Sequence, residues 1–154
     1  AAAARPPGGR RIEVTSLANV TCVAVEGRGL LIDGAPGSGK SSLALSLIDR
    51  GAVLVGDDGV TLAVRGDRLW AHPPPNIAGR MEIRGVGIAT LPTTAAPLCL
   101  VLSLNEAPQR LPEPGEWHFD SFTLPRLGFA IGPEAALRAE WSLVLHGLPP
   151  PAPD

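Results

Sequence analysis

The sequence predicts an α/β domain: a mixed, strongly twisted sheet with a P-loop helix and a C-terminal helix packed against it. Three observations lead there. An apolar run enters a glycine-rich loop and leaves it as an amphipathic helix, over residues 30–50. Two apolar runs at 20–25 and 30–32 are separated only by the turn "EGRG", which makes them a hairpin and argues against a purely parallel sheet. Gly and Pro number 18 and 17 among 154 residues, so loops must be many and elements short.

Each element follows from its residues. Residues 20–25 ("VTCVAV") are β-branched and open the strands. Residues 42–50 repeat apolar side chains at helical spacing (Leu43, Leu47, with Ala44 and Ile48), and Gly51 is a natural stop. Residues 52–55 form a short apolar strand of the type buried on both faces. Val60, Leu62 and Val64 alternate as a strand that turns at "RGD" and returns through 69–71. "HPPPN" at 72–76 is a stiff extended connection. Residues 98–104 are a strand, 107–117 a loop and 122–131 extended. Gly132-Pro133 opens a final helix over 134–145, with Pro in the first turn and Glu134 just inside. Residues 1–11 read as a disordered leader or cloning remnant, 12–147 as one domain, and 148–154 ("LPPPAPD") as a disordered tail.

Composition narrows the function. Thirteen basic and 15 acidic residues leave a net charge of -2 with no basic stripe, which speaks against a nucleic-acid surface. Tyr is absent and aromatic residues are few, so base-stacking platforms are not expected. No apolar run is long enough to span a bilayer, and the N-terminus lacks the apolar core of a signal peptide; the expectation is a cytoplasmic protein. Cys22 and Cys99 each lie in an apolar run and read as buried thiols. Two isolated Cys and three scattered His give no zinc site.

Gly34, Ala35, Pro36, Gly37, Ser38, Gly39, Lys40 and Ser41 fit G-x-x-x-x-G-K-[ST]. Glycines let backbone N–H groups turn inward around phosphate oxygens, and the helix that follows aims its positive dipole end at them. Lys40 would bridge the β- and γ-phosphates and Ser41 would hold Mg²⁺. ATP and Mg²⁺ are therefore the expected cofactors, though the loop alone does not name the reaction.

Asp57-Asp58 closes the strand at 52–55, where P-loop proteins place a Mg²⁺-associated carboxylate; Asp57 is taken for that role. Neighbours on a strand face opposite ways, so one of the two is expected to face the phosphates. Further on stands "EIRGVGI", residues 82–88. A P-loop, a strand ending in Asp-Asp and E-I-R-G-[LV]-G-I, in this order and at this spacing, closely resemble the catalytic domain of the bacterial HPr kinase/phosphorylase family. The resemblance runs from about residue 20 to 88. It implies the HPr kinase catalytic-domain fold, homo-oligomeric assembly, and ATP-dependent phosphorylation of a serine on a small HPr-type phosphocarrier protein. It also implies that Asp58 takes the proton of the target serine, that Glu82 joins Ser41 at Mg²⁺, that Arg84 serves the phosphoryl chemistry, and that Arg110 corresponds to a catalytic arginine. No H-R-D or D-F-G segment of eukaryotic-type protein kinases is present.

The sequence departs from the family at three places. Asn19 stands where members carry a His that pairs with the catalytic Asp, and Asn cannot carry a proton or a positive charge. Ser42 replaces an acidic residue often found after the loop's Lys-Ser. The stretch after Ile88 is shortened. The chain reads as a short form holding the catalytic core, a kinase with doubtful phosphorolysis. Two alternatives stay open: an ATP-binding regulatory module that has lost its chemistry, and a P-loop kinase for a small molecule, whose lid would have to draw on Arg110, Arg126 and Arg138.

Overall fold

A computed structural model describes residues 2–4, 12–107 and 109–152. Its elements in chain order are β1 (Ala2–Ala4), β2 (Ile12–Ala18), β3 (Thr21–Val25), β4 (Arg28–Asp33), α1 (Lys40–Asp49), β5 (Val53–Gly56), β6 (Gly59–Arg65), β7 (Arg68–His72), β8 (Arg80–Ile83), β9 (Gly87–Thr90), β10 (Ala96–Leu104), β11 (Gly115–Phe119), β12 (Phe122–Phe129) and α2 (Ala135–His146). The result is the expected mixed α/β architecture, a curled sheet with two helices.

Ten strands form one sheet in the order β1-β2-β6-β7-β10-β4-β3-β5, with β12 also on β10 and β11 on β12; β8 and β9 pair separately. The sheet turns on β10. All nine of its residues are buried, it runs parallel to both β4 and β12, and its first two residues pair antiparallel with β7. A strand apolar on both sides cannot sit at a surface, so cover must form on each face. On one face α1 and α2 pack Leu43, Ala44, Leu47, Ala139 and Leu143 against Leu30, Ile32, Leu100 and Leu102. On the other, the β6–β7 hairpin folds Val60, Leu62, Leu69 and Ala71 over Leu31, Leu98 and Val101. β4 shows the alternation plainly: Leu30 and Ile32 point to the helices, Leu31 to the hairpin.

The predicted hairpins at 20–32 and 60–71 are present as β3–β4 and β6–β7. The short strand at 52–55 forms one residue later, as β5, and sends Leu54 and Val55 into opposite cores. β2 is an element the sequence reading lacks. Its alternation breaks at Ser16-Leu17, and its pairing partner, β6, lies more than 40 residues away. Residues 115–117, expected in a loop, open β11. The helix expected over 134–145 begins at Ala135, because Glu134 takes a left-handed backbone at its N-cap. Both cysteines are buried and free, and burial, with Cys99 nearby, pushes the Cys22 thiol far above its usual range.

The two ends also differ from expectation. Ala2–Ala4 pairs antiparallel with residues 12–14; the rest of the leader lies outside the described residues. At the other end residues 148 and 149 are docked. Leu148 donates its N–H to the Cys99 carbonyl at 2.8 Å, and Arg68 reaches the Pro149 carbonyl at 2.8 Å. Arg28 donates to the carbonyls of Leu143 at 3.1 Å and Leu148 at 2.6 Å, placing a cation at the negative end of the α2 dipole, where the Leu143 carbonyl also accepts the N–H of Gly147. The Pro-rich tail was expected to be disordered, but carbonyls need only donors, and two arginines supply them. Residues 153–154 lie outside the described residues.

Replacing Arg28 with Ala should free the last turn of α2 and lower stability by roughly 1.5–3 kcal/mol, the cost of charged hydrogen bonds to buried carbonyls. Chemical denaturation measures this; an unchanged midpoint with an unchanged slope would show that α2 is held by packing alone.

Candidate active site

The glycine-rich loop joins the C-terminal end of β4 to α1, and its shape follows from three tight backbone positions. Gly34, Gly37 and Gly39 all have positive φ, which side chains with a Cβ rarely adopt. A Cβ on Gly34 would also stand 2.7 Å from the Ser38 hydroxyl. Gly39, at φ 103, is the N-cap of α1, and no acidic residue lies in the first turn. The amide groups opening the helix are thus left unneutralised, an arrangement suited to an anion.

Lys40 and Ser41 start the helix. Lys40 is buried, and its Nζ donates to the carbonyls of Gly34 at 2.7 Å and Ala35 at 3.2 Å. The ammonium thus lies across the loop. The Ser41 hydroxyl donates to Oδ1 of Asp57 at 2.7 Å. The same oxygen accepts the hydroxyl of Thr21 at 3.0 Å, and Thr21 is fully buried.

The aspartate pair is arranged differently from the strand expectation. β5 stops at Gly56 and β6 starts at Gly59, so Asp57 and Asp58 form the tight turn between them. Asp58 adopts a left-handed backbone, φ 60. A turn, not a pleat, sends the two side chains to different places: Asp57 is half-buried against Ser41, and Asp58 is exposed. Gly56 makes the turn possible, since a Cβ there would collide with the Gly59 carbonyl and press on Val60 and Pro74. Asn19, at φ 64, donates its backbone N–H to the Asp58 carbonyl at 3.2 Å. The position picked out in the sequence for its missing imidazole is therefore beside Asp58.

The segment "EIRGVGI" is a hairpin. β8 and β9 pair with Glu82 opposite Ile88, and Val86 closes the turn by donating to the Ile83 carbonyl at 2.9 Å. Met81 is buried in the helix-side core and Ile83 packs against it. Strand alternation then turns Glu82 outward. Loop, turn and hairpin enclose a cleft of about 600 Å³. Thr21, Pro36, Gly37, Ser38, Gly39, Lys40, Ser41, Ser42, Leu45, Asp57, Asp58, Met81, Glu82, Ile83 and Arg84 line it.

Of the residues singled out in the sequence, Pro36 to Ser41, Asp57, Asp58, Glu82 and Arg84 meet at this cleft. Gly34 and Ala35 shape the loop from behind and accept the Lys40 hydrogen bonds. Arg110 is not among the lining residues; it is exposed in the segment between β10 and β11. Thr21 is the residue the sequence reading missed. In "VTCVAV" it is one more β-branched strand former, and only the fold brings it to Asp57, 36 residues away.

Among the described residues no three His, Cys, Asp or Glu side chains cluster as a metal cage. The oxygen set of Ser41, Asp57 and Glu82 nevertheless suits Mg²⁺, which is commonly held by one or two carboxylates with substrate phosphates completing its shell.

The chain is similar to known proteins. The HPr kinase/phosphorylase of Bordetella petrii is 37% identical over 86 residues, which are 55% of this chain and 28% of that protein. The HPr kinase/phosphorylase of Shouchella clausii is 44% identical over 72 residues, 46% of this chain and 23% of that protein. The chain thus matches less than a third of the length of these curated relatives. The solved structure of the HPr(Ser) kinase/phosphatase from Coxiella burnetii is similar with a TM-score of 0.71 at 26% identity, covering 82% of this chain and 92% of that one. The family model of the HPr Serine kinase C-terminal domain matches residues 12–94, a stretch holding the glycine-rich loop, the aspartate turn and the β8–β9 hairpin. With more than half of its length matched, the chain belongs to the HPr Serine kinase C-terminal domain family.

Proposed function

We propose that this protein is a P-loop serine kinase that transfers the γ-phosphoryl group of ATP to a serine of a small HPr-type phosphocarrier protein. The observation that carries the reading is the convergence of the helix-opening loop, the Ser41–Asp57 pair and the exposed Asp58 carboxylate on one cleft.

Each residue has a task in that reaction. The loop amides and the start of α1 seat the phosphate chain. Lys40 exchanges its two carbonyl partners for phosphate oxygens and offsets the charge that develops on the γ-phosphoryl. Bound Mg²⁺ would neutralise phosphate charge, with Ser41, Asp57 and Glu82 as its protein oxygens. Ser41 suits this place because its proton is committed to Asp57, which leaves the oxygen lone pairs to a cation. Asp58 accepts the proton of the acceptor serine as its oxygen bonds to phosphorus and the bond to ADP breaks. Arg84, at the tip of the β8–β9 hairpin, is placed to meet the charged groups from the open side. The His absent at position 19 removes a proton carrier from beside Asp58, which weighs against the reverse, phosphorolytic direction.

The reading as a small-molecule kinase loses support from its own candidates. Arg126 is paired with Glu106 at 2.8 Å, and Arg138 donates to the Ala130 carbonyl at 2.7 Å and lies over the Phe129 ring. Both arginines are engaged in surface contacts outside the cleft lining.

The test is phosphotransfer from ATP, with Mg²⁺, to an HPr-type protein, followed by identification of the modified side chain as serine. Asp58→Asn should lower turnover by roughly 100- to 10,000-fold while leaving nucleotide binding in place. A chain that binds Mg·ATP but transfers to no HPr-type protein, and stays inactive when Asn19 is changed to His, would instead be a regulatory ATP-binding module. Gly56→Ala should force the aspartate turn open and cost on the order of 100-fold in transfer. Activity retained by that variant would show that the turn tolerates displacement.

A further inference from the structure

We propose that Thr21 is a positioning residue that divides the aspartate pair, fixing the Asp57 carboxylate on Ser41 and leaving the Asp58 carboxylate to the acceptor. The inference rests on the kinase reading and deepens it.

Thr21 is the first residue of β3 and is wholly buried. Valine would fill the same space and is at least as good a strand former, so packing does not call for a hydroxyl here. A buried hydroxyl is costly unless bonded, and this one is bonded twice, both times to the pair. It donates to Oδ1 of Asp57 at 3.0 Å and accepts the backbone N–H of Asp58 at 3.5 Å. The buried hydroxyls of Ser38 and Ser103, by contrast, have no partner among the described residues.

The register accounts for the meeting. In β3, Cys22 pairs with Gly56, the last residue of β5, so the residue before Cys22 faces the residue after Gly56. Oδ1 of Asp57 then receives two hydroxyl protons, from Thr21 and Ser41, which fixes the carboxylate at the loop. Asp58 is held at both of its peptide groups. Its N–H goes to Thr21, and its carbonyl accepts the N–H of Asn19. With its main chain tied on both sides and φ at 60, Asp58 keeps an exposed carboxylate on the lining of the cleft. Removing the hydroxyl should loosen both assignments without creating a cavity.

The experiment compares wild type, Thr21→Val and Thr21→Ser in three measurements: binding of Mn²⁺ with ATP followed by electron paramagnetic resonance, kcat and KM for Mg·ATP, and thermal unfolding. Thr21→Val should weaken Mn²⁺ binding about 10- to 100-fold, in the range of other partners that orient metal ligands, with reduced kcat and no loss of thermal stability. Thr21→Ser should restore metal binding and kcat to within a few-fold of wild type. Should Thr21→Val fold poorly, Thr21→Cys, similar in size with a weak donor, takes its place. Wild-type Mn²⁺ affinity and turnover in the hydroxyl-free variant overturn the proposal, as does a Ser variant as impaired as Val. A wild-type chain with no Mn²⁺-dependent ATP binding overturns the kinase reading itself, and this proposal with it.

Discussion

The parallel pairing of β10 with β4 is the constraint on which the rest of the molecule depends. It joins residues 98–103 of one strand to residues 29–33 of the other, and both are apolar on each face. Two such strands side by side demand cover above and below. The helices take one face, the β6–β7 hairpin the other, and the sheet must curl to deliver that hairpin. The contact is close enough to exclude side chains: a Cβ on Gly29 would lie 2.7 Å from the Pro97 carbonyl. Arg28, the neighbour of that glycine, then reaches past the end of α2 to residue 148, so the same strand anchors the C-terminal segment.

The cleft is a consequence of where these strands stop. β4 ends at Asp33, and the chain must turn back over the sheet to start α1, which places the loop amides beyond the carboxyl end of the central strands. β5 enters from the far side, pairing with β3 and ending at Gly56, so the aspartate turn arrives beside the opening of α1. The third wall comes from β8, which is fixed by one buried side chain, Met81, in the helix-side core. Three segments distant in sequence are brought together, and each is held by packing outside the cleft. The side chains of Asp58, Glu82 and Arg84 take no part in that packing, whereas Lys40 bonds across the loop and the Thr21–Asp57–Ser41 chain ties two of the segments to each other.

Much of this was legible in the sequence because local chemistry decided it. Positive φ at Gly34, Gly37 and Gly39, the apolar spacing of Leu43 and Leu47, and the hairpin turns at residues 26–27 and 66–67 depend on neighbours within a few positions. The residues of the cleft were legible for a second reason: their order matched a known family. What could not be read depends on partners far along the chain. β2 acquires its register from β6, Thr21 its role from Asp57, and residues 148–149 their order from Arg28 and Arg68. The reason given for dividing Asp57 from Asp58, though not the division itself, failed in a more local way. Alternation on a strand was applied to residues that lie in a turn, and the close approach of Gly56 to Gly59 is what ends the strand there. Arg110 was assigned from its similar placement in the family, and it is not among the residues lining the cleft.

The exchange at position 19 is milder in the fold than the loss of an imidazole suggests. The link from Asn19 to Asp58 runs through main chain on both sides, N–H to carbonyl, so it does not depend on which side chain stands at 19. Both residues hold left-handed backbones, and Asn is among the few residues that do so at modest cost. The clamp that orients Asp58 thus survives the substitution, whereas the capacity to hold a proton next to it does not. In the proposed reaction the forward direction asks Asp58 to receive one proton from serine and release it to solvent from an exposed position. The reverse direction asks for a proton delivered as phosphoserine is attacked by phosphate. In that proposed reaction, keeping the geometry while lacking the proton carrier separates these two demands, and the loss bears on phosphorolysis more than on transfer from ATP.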